Sequence, residues 1–351
     1  MPNPDFWRGK RVLLTGHTGF KGAWASAWLS RMGAEVHGFA LAPDTEPNLA
    51  SLLRLSNSKS IIGDIRDAGK IASAVAASRP HLVLHMAAQA LVRRSYAAPV
   101  ETFEANVNGT INLLDALRGH DGLLACLVIT SDKVYENDGS GKAFVETDTL
   151  GGSDPYSASK AACEIATASF ARSYFSLPAP PVATARAGNV IGGGDWSADR
   201  IVPDLWRAHQ LAAKVELRYP NATRPWQHVL EPLAGYFDYL EAMANGLRAP
   251  TLNFGPAETH QVTVSGVVDA FQRAYGARAA GWIQAPGTHP KEAPTLAIDA
   301  RRATTLLPWR PRLDAVQAIR WTAEWYAAFD NGSDMNAFTQ AQIAEFEDLT
   351  A

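Results

Sequence analysis

The sequence predicts an α/β protein in which a doubly wound parallel sheet is joined to a smaller mixed α/β lobe. Short apolar runs alternate with amphipathic helical patterns, and a glycine-rich turn separates the first run from the first helix. We expect residues 1–185 to form the sheet half with the catalytic groups, and residues 186–351 to form mainly the smaller lobe, with some segments returning to the sheet. The predicted strands and strand ends are residues 11–15, 35–41, 61–67, 82–89, 125–130 and 182–189.

The first strand leads into a turn in which glycines recur at every third position. Glycines permit a tight turn and a close approach of a ligand to the backbone, and the N-terminus of the following helix favours a pyrophosphate. The spacing is not G-x-G-x-x-G, but the flanking strand and helix favour a dinucleotide site over an ordinary turn. We therefore expect dinucleotide contacts from Gly16, Thr18, Gly19, Phe20, Lys21 and Gly22.

The ends of the next strands indicate how the dinucleotide would lie. An NAD site usually has an acid after the second strand, whereas here the first carboxylate is the slightly later Asp44, and no arginine is present for a 2′-phosphate. NAD is therefore favoured over NADP. Asp64 and Ile65 follow the third strand and could contact adenine, although Asp64 could equally cap the helix after it. Ala87 and Ala88 are small enough to let a cofactor lie against the backbone.

The fifth strand ends in a hydroxyl, a carboxylate and an ammonium, at Ser131, Asp132 and Lys133. Tyr156 and Lys160 follow, four positions apart on one face of a predicted helix. A phenol, an acid and amines at one strand end are the groups needed to move protons and a hydride. Alone, a tyrosine–lysine pair is more often a solvated helix face, and Asp132 with Lys133 could be a surface ion pair. The preceding strands and glycine turn favour an active site.

Composition excludes several classes of protein. The 351 residues are 47% hydrophobic and 19% charged, as in an ordinary globular protein, and the net charge of −3 argues against nucleic acid as the main partner. No apolar run approaches the roughly 18 residues of a membrane span, and the first residues do not resemble a secretory signal. Two cysteines provide no disulfide framework, so we expect a cytoplasmic location. Nine histidines without ligand spacing predict no metal site.

Together these motifs resemble the extended short-chain dehydrogenase/reductase family, specifically its nucleotide-sugar branch. The matching marks lie in order within about the first 195 residues. Within that branch, residues 16–22, 130–135 and 224–229 are most similar to the CDP-glucose 4,6-dehydratases. The marks are Gly16-x-x-Gly19-x-x-Gly22, Ala87-Ala88, Asn106, Tyr156-x-x-x-Lys160 and Arg186-x-x-Asn189.

The resemblance implies a Rossmann-type sheet, an NAD cofactor and the conversion of CDP-glucose into CDP-4-keto-6-deoxyglucose. C4 is oxidised, water is lost across C5 and C6, and C6 receives the same hydride. Tyr156 would be the C4 base, with its pKa lowered by the charges of the nicotinamide and of Lys160, which also binds the nicotinamide ribose. Ser131 would contact the C4 oxygen, and Asp132 would protonate the leaving hydroxyl. Lys133, where related dehydratases have glutamate, would be either the C5 base or a cationic stabiliser.

The same resemblance extends to binding residues and assembly. It implies that Asn106 lies in the cofactor site and that Gln89 and Asn189 contact substrate, whereas Arg186 is expected to be a buried structural residue. Arg224 is a candidate for the diphosphate because a guanidinium pairs two oxygens in a fixed fork. A homodimer and a place in deoxysugar synthesis for lipopolysaccharide O-antigen are also implied.

Other functions remain open at this point. The alternatives are another NDP-sugar 4,6-dehydratase, a sugar-nucleotide 4-epimerase, and a regulatory NAD-binding protein without chemistry. Epimerases share the glycines, Tyr156 and Lys160, but they provide no reason for the acid and amine at Asp132 and Lys133. The nucleobase follows from the resemblance alone, because backbone groups can recognise cytosine.

Overall fold

A seven-stranded parallel sheet forms the centre of the protein in the computed structural model, which describes residues 1–55, 58–257, 262–276, 281–287 and 295–349. The strands in chain order are β1 (Arg11–Thr15), β2 (Glu35–Ala40), β3 (Ser58–Ile62), β4 (Leu82–His85), β5 (Ala125–Ile129), β6 (Ala143–Phe144), β7 (Val182–Ala187), β8 (Val190–Ile191), β9 (Val215–Leu217), β10 (Thr223–Arg224), β11 (Gln227–His228), β12 (Thr251–Phe254), β13 (Val262–Thr263), β14 (Trp282–Gln284) and β15 (Ala297–Ile298).

Helices cover both faces of this sheet and build the smaller lobe. They are α1 (Pro4–Trp7), α2 (Phe20–Arg31), α3 (Leu49–Leu52), α4 (Ala68–Ser78), α5 (Val92–Ala97), α6 (Pro99–Phe103), α7 (Gly109–Ala116), α8 (Pro155–Tyr174), α9 (Ile201–Gln210), α10 (Leu230–Ala244), α11 (Val264–Tyr275), α12 (Arg301–Leu306), α13 (Ala315–Asp330) and α14 (Met335–Asp348).

The strand order β12-β7-β5-β4-β1-β2-β3 confirms the predicted doubly wound sheet. Its central strands are mostly apolar because both faces are buried. Val12 and Leu14 belong to one core cluster and Leu13 to the other, as the alternation of side chains along a strand requires. β7 crosses the predicted boundary after residue 185, and β12 returns to the sheet from the second half. The division into two units stays a prediction.

The sequence pattern predicts one amphipathic helix over residues 99–117, and in the structure one turn of π-helix interrupts it. α6 ends at Phe103, residues Glu104–Asn108 form the wider turn, and α7 begins at Gly109. π turns of this kind insert one residue into a helix and occur frequently at functional sites. Here the wider turn places Asn106 among buried residues.

The last helix of the described chain packs against the helix that follows the glycine turn. Glu347 on α14 accepts a hydrogen bond from Trp28 Nε1 at 2.8 Å and one from Arg31 Nε at 3.0 Å, both on α2. The helix α14 is therefore docked on α2, the helix that follows the first strand.

Short strand pairs with α9 and α11 form the smaller lobe beside the sheet, whereas α10 packs on β5 and β12 of the sheet. β9 pairs with β14, β8 with β11, and β10 with β13. Gln227 and His228 are buried in this region, as expected of core residues, and Trp321, Trp325 and Tyr326 of α13 are packing residues. None of the helices in the described ranges combines the length and apolar character that crossing a bilayer requires.

Candidate active site

A cleft of about 1610 Å³ runs along the carboxyl ends of β1, β4 and β5 and continues between the sheet and the smaller lobe. This is where open α/β sheets bind ligands. Every predicted site residue lines it except Asn106. The prediction that the glycine turn, the catalytic groups and the substrate residues face one cavity therefore agrees with the geometry.

The glycine turn is packed too tightly for any larger residue. Gly16 has a φ of +77°, and an added Cβ would lie 2.8 Å from the backbone nitrogen of Ala87. A Cβ on Gly22 would lie 2.1 Å from the Gly16 carbonyl oxygen. Thr15 Oγ1 accepts hydrogen bonds from the backbone N–H groups of Met86 and Ala87, at 3.1 Å each. The turn, the end of β4 and the start of α2 thus fit a dinucleotide pyrophosphate.

The side chain of Lys21 lies at the catalytic end of the cleft. Burial lowers its pKa to about 7, assisted by the charges of Arg200 and Lys160 and opposed by Asp132. Its ammonium lies 5.6 Å from the centre of the Tyr236 ring. The predicted cofactor residue Lys21 is therefore an electrostatic neighbour of the catalytic groups as well as part of the glycine turn.

Asp64 lies on the cleft wall and is paired with Arg66. Its carboxylate accepts from the backbone N–H of Arg66 at 2.9 Å and from the guanidinium, which holds the pKa of Asp64 below its usual value. Arg66 also forms a 3.6 Å ion pair with Glu104. The alternative that Asp64 caps the next helix is wrong, because Asp67 caps α4 and accepts from Lys70 N at 3.0 Å.

Asn106 lies behind the cleft wall, so it could act on a bound cofactor only through the residues that it holds in place, such as Gln89. Its side chain accepts from Gln89 N at 2.8 Å and donates to Gln89 O at 3.1 Å and to Ser159 Oγ at 2.8 Å. Gln89 in turn donates to Leu91 O and Thr102 Oγ1 and accepts from Leu91 N. The side-chain amides of Asn106 and Gln89 thus form their hydrogen bonds with groups of the protein itself, and they fix the loop after β4 against α8.

Ser131 connects the predicted base to the predicted acid. Its hydroxyl acts to lower the pKa of the Tyr156 phenol and donates to Asp132 Oδ1 at 3.1 Å. It also accepts from Lys133 N at 3.2 Å, at the start of a short 3₁₀ turn over Asp132–Val134. The strand end and the start of α8 thereby bring Ser131, Asp132 and Tyr156 to one place.

Asp132 is a buried carboxyl with one unused oxygen. Its Oδ2 makes no hydrogen bond to any described residue. Burial raises its pKa, against the opposing effects of Lys133, Ser131 and Arg224. Gly188 lies directly beside it, because an added Cβ would come within 1.8 Å of Oδ2. A carboxyl in this environment favours the protonated form and can donate a proton.

Tyr156 does not show the lowered pKa that the family resemblance implies. Burial raises the pKa of the phenol and outweighs the hydrogen bond with Ser131 and the charge of Arg200. Lys160 directs its ammonium to the carbonyl oxygen of Ile129 at 3.1 Å, and burial lowers its own pKa. The charges of the protein alone therefore do not lower the pKa of Tyr156, and its role as the base stays a prediction that depends on the charge of the nicotinamide.

Arg186 is buried beneath the catalytic turn, and its partner is a carboxylate. Its Nε and Nη2 atoms donate to Glu164 at 2.9 Å each, and its Nη1 donates to the Tyr135 hydroxyl at 2.7 Å. Glu164 also accepts from Thr130 Oγ1. Because Thr130 and Tyr135 flank residues 131–134, this buried network fixes both ends of the turn that bears Ser131, Asp132 and Lys133.

Comparison with known proteins defines the family. A family model described as GDP-mannose 4,6 dehydratase matches residues 13–322. The chain is 41% identical to the CDP-glucose 4,6-dehydratase of Salmonella typhimurium, over 100% of this chain and 99% of that protein. The chain belongs to the nucleotide-sugar 4,6-dehydratases. The family recognised from the sequence, and the prediction that the protein is a lyase, are thus confirmed.

Other relatives of this dehydratase are more distant. It is 29% identical to the dTDP-glucose 4,6-dehydratase of Xanthomonas campestris, over 90% of this chain and 92% of that protein. The dTDP-glucose 4,6-dehydratase of Streptomyces venezuelae, solved with NAD and TYD bound, superposes with a TM-score of 0.79 at 22% identity over 92% of this chain and 98% of that one. A UDP-glucose 4-epimerase of Stenotrophomonas maltophilia gives the same TM-score at 23% identity, with 92% and 100% covered. The solved structures therefore confirm the fold.

The predicted substrate residues of the dehydratase line the cleft beyond the catalytic turn. Asn189 has a φ of +34°, and its carbonyl oxygen accepts from Gln227 N at 3.3 Å. Arg224 is 8% exposed and donates from Nη1 to the Thr223 carbonyl at 2.8 Å. Asn189 and Arg224 therefore stay candidates for substrate binding.

Sequence reasoning missed two charged residues at the start of α9. Arg200 pairs with Asp195 at 2.9 Å, and its charge acts on Tyr156. Asp204 lines the cleft one turn further along α9. Arg200 caps α9 and Asp204 lies in its first turn, so both are placed at the cleft by the start of this helix.

Proposed function

We propose that this dehydratase converts CDP-glucose into CDP-4-keto-6-deoxyglucose with NAD as its cofactor. The main support from the geometry is the buried carboxyl of Asp132, which accepts a hydrogen bond from Ser131 and lines one cleft together with Ser131 and Tyr156. The choice of CDP-glucose is supported by the identity of 41% to a CDP-glucose enzyme, against 29% to a dTDP-glucose enzyme.

The cleft wall fits NAD better than NADP. Gly16, Gly22 and the end of β4 leave room for a pyrophosphate, and Leu41 at the end of β2 is 59% exposed. Arg66 lies on that part of the wall, but its guanidinium is paired with Asp64 and Glu104. It is therefore not available for a 2′-phosphate. When bound, NAD supplies positive charge beside Tyr156, accepts a hydride and later returns it.

Oxidation at C4 uses Tyr156, Ser131 and Lys160. Tyr156 takes the proton of the C4 hydroxyl, and Ser131 holds the C4 oxygen by a hydrogen bond while that proton moves. Lys160 lies one turn along α8 and holds its ammonium at the end of β5, where it can bind a ribose hydroxyl. The carbonyl formed at C4 then makes the C5 proton acidic, because the resulting carbanion is stabilised as an enolate.

Elimination uses the groups on the other side of Ser131. Asp132 gives its proton to the C6 hydroxyl, which leaves as water; the raised pKa of this carboxyl suits that role. Lys133 is half-buried, and its charge acts on Asp132. We assign Lys133 to the C5 proton, either as the base or as the cation that stabilises the enolate. The hydride taken from C4 ends at C6 while C5 takes up a proton again, and the reaction has no net redox change.

Two other functions fit the cleft less well. A 4-epimerase needs Tyr156, Ser131 and Lys160, but it has no use for a buried carboxyl with a raised pKa at Asp132. A regulatory NAD-binding protein needs neither Asp132 nor the link from Ser131 to Tyr156. The fold itself does not separate these possibilities, because an epimerase and a dehydratase superpose equally well on the chain.

Turnover of a panel of sugar nucleotides tests the proposal. Purified protein with NAD is incubated with CDP-, dTDP-, UDP- and GDP-glucose, and the 4-keto-6-deoxy product is identified by mass spectrometry and NMR. We expect keto product from CDP-glucose at the highest kcat/KM, and loss of that product in Asp132→Asn. Epimerised sugar without loss of water, or preference for another nucleotide, would refute the proposal.

We also infer a homodimer in a reducing cytoplasmic compartment. Val100 and Phe103 of α6 and Ile165 of α8 are exposed apolar residues, at 70%, 39% and 61%, on helices that contact each other. Exposed apolar patches of this kind favour protein–protein contacts. Cys126 and Cys163 are buried and not in a disulfide, as suits a reducing compartment. Multi-angle light scattering of wild type and Ile165→Glu tests the dimer. The 4-keto-6-deoxy product would then serve as a substrate in deoxysugar synthesis for lipopolysaccharide O-antigen.

A further inference from the structure

The end of the cleft beyond the catalytic residues is bounded by α9 and β9. Tyr156 and Asp132 fix the place of the hexose, and the glycine turn takes the opposite end of the cleft for the dinucleotide. The nucleoside diphosphate of the substrate must therefore extend toward α9 and β9. This step rests on the proposed function.

That end of the cleft has apolar side chains that a flat ring can contact, and charged groups that can bind the edge of the ring. The charged groups contributed by the helix and strand are Asp204, Arg207, Lys214, Glu216 and Arg218. Apolar side chains lie between them, namely Ala208, Leu211, Val215, Leu217 and Val264. A pyrimidine ring can lie against such side chains while a charged group forms a hydrogen bond with the polar edge of the ring.

Among these groups, Asp204 is a carboxylate that neighbouring residues hold in place. Arg207 Nη1 donates to Asp204 Oδ1 at 2.6 Å. Arg207 is itself fixed, because its Nη2 donates to the carbonyl oxygens of Trp196 and Ser197. Asp204 Oδ2 makes no hydrogen bond to a described residue, and the side chain is 40% exposed on the cleft wall. One oxygen is therefore held and the other is free to accept.

The alternative is that Asp204 and Arg207 form an ordinary helix pair of little consequence. An exposed pair three residues apart contributes little and has no fixed geometry. Here the two additional hydrogen bonds of Arg207 restrict the pair. The charge of Arg218 also acts on the Asp204 carboxylate and opposes the rise of its pKa. Burial raises the pKa of Asp204 to about 6, so the group is still ionised at neutral pH. These contacts favour a preorganised acceptor.

We infer that Asp204 makes the enzyme prefer cytosine to uracil and thymine. Cytosine presents an amine at C4, which can donate to the free carboxylate oxygen, whereas uracil and thymine present a carbonyl oxygen there, which a carboxylate repels. A hydrogen bond to a charged group contributes about 1.5–3 kcal/mol, which corresponds to about a 10- to 100-fold difference in affinity.

The first experiment uses wild-type enzyme and varies the ligand. Isothermal titration measures the Kd values of CDP, UDP and the diphosphate of 2-pyrimidinone riboside, which lacks the 4-amine. We expect both UDP and the analogue to bind about 10- to 100-fold more weakly than CDP. Equal affinity for CDP and the analogue would overturn the inference, and this result does not depend on the folding of any variant.

The second experiment uses Asp204→Asn, with Glu216→Gln as the matched control. Both substitutions remove one negative charge from the same end of the cleft, but only the first removes the acceptor held by Arg207. We expect Asp204→Asn to lose most of the CDP-over-UDP ratio, mainly in Kd and KM rather than kcat, and Glu216→Gln to keep it. A folded Asp204→Asn with the wild-type ratio, or an equal loss in Glu216→Gln, would refute the role of Asp204.

These outcomes can be told apart from failure of the proposed function. If the wild type does not dehydrate CDP-glucose, or if it prefers another sugar nucleotide, the proposed substrate is wrong. If it does dehydrate CDP-glucose and Asp204→Asn keeps the CDP preference, only the assignment of Asp204 is wrong.

Discussion

Replacing Gly188 by alanine should separate the two halves of the proposed reaction. Gly188 follows β7, and its φ lies outside the left-handed region, so its backbone accepts alanine. The conflict is with Asp132, since the new Cβ would lie 1.8 Å from Oδ2. To reach ordinary contact near 3.4 Å, the carboxyl must retreat by about 1.6 Å.

A displacement of this size should reduce the elimination step. A misplacement of about 1 Å at a reacting group can cost about 100-fold in rate, and the crowding should cost about 1–3 kcal/mol of stability. Tyr156, Ser131 and Lys160 keep their places on β5 and α8, so C4 oxidation should persist. Single-turnover absorbance of bound NADH measures oxidation, and quenched samples measure the keto product. NADH should form at a near-normal rate in Gly188→Ala, while product appears about 100-fold more slowly.

The matched control is Gly69→Ala on α4, outside the cleft, where the nearest atom to an added Cβ lies at 3.4 Å. It should leave both steps unchanged. Equal loss of oxidation and elimination in a folded Gly188→Ala, or full activity, would show that the position of Asp132 does not govern elimination.

Three further predictions concern other charged groups. Lys133→Met should leave NADH formation intact and slow product formation by about 100-fold or more, which the same single-turnover assay detects. Arg186→Met should lower the free energy of unfolding by about 3–5 kcal/mol, measured in urea, because it leaves Glu164 buried without its partner. Burial raises the pKa of Glu231 to about 7, above its value in the unfolded chain. The folded protein therefore holds this proton more tightly than the unfolded chain, and the free energy of unfolding falls as pH rises toward 7. Glu231→Gln should remove up to about 3 kcal/mol of this dependence, seen as a flatter curve of unfolding free energy between pH 5 and 8.

The sheet and the glycine turn could be predicted because their signals are local. A buried parallel strand needs a short apolar run, and the turn needs glycines between a strand and a helix. The ends of elements were less accurate: the predicted third strand at residues 61–67 is β3 at Ser58–Ile62, and the strand at residues 82–89 ends at His85. Polar residues after a strand look alike in sequence, so Asp64 was considered as a cap where Asp67 forms it.

The parts of the site that could not be predicted depend on contacts between distant residues. The π turn at Asn106 is fixed by Gln89 and Ser159, and no local pattern reveals that pairing. Gly188 looks like any glycine in a loop until the carboxyl of Asp132 is placed beside it. Lys21 belongs to the glycine motif by sequence, but only the fold shows that its ammonium lies near Asp132.

The docking of α14 on α2 has a consequence for how the polypeptide matures during synthesis. The cofactor helix emerges from the ribosome early, but its contacts to Glu347 become available only after more than three hundred further residues have been translated. Until then, Trp28 lacks its hydrogen-bond acceptor, and the nascent N-terminal half exposes apolar surface that chaperones recognise. Competence to bind dinucleotide should therefore arise only after α14 has been translated, rather than when the glycine turn first folds.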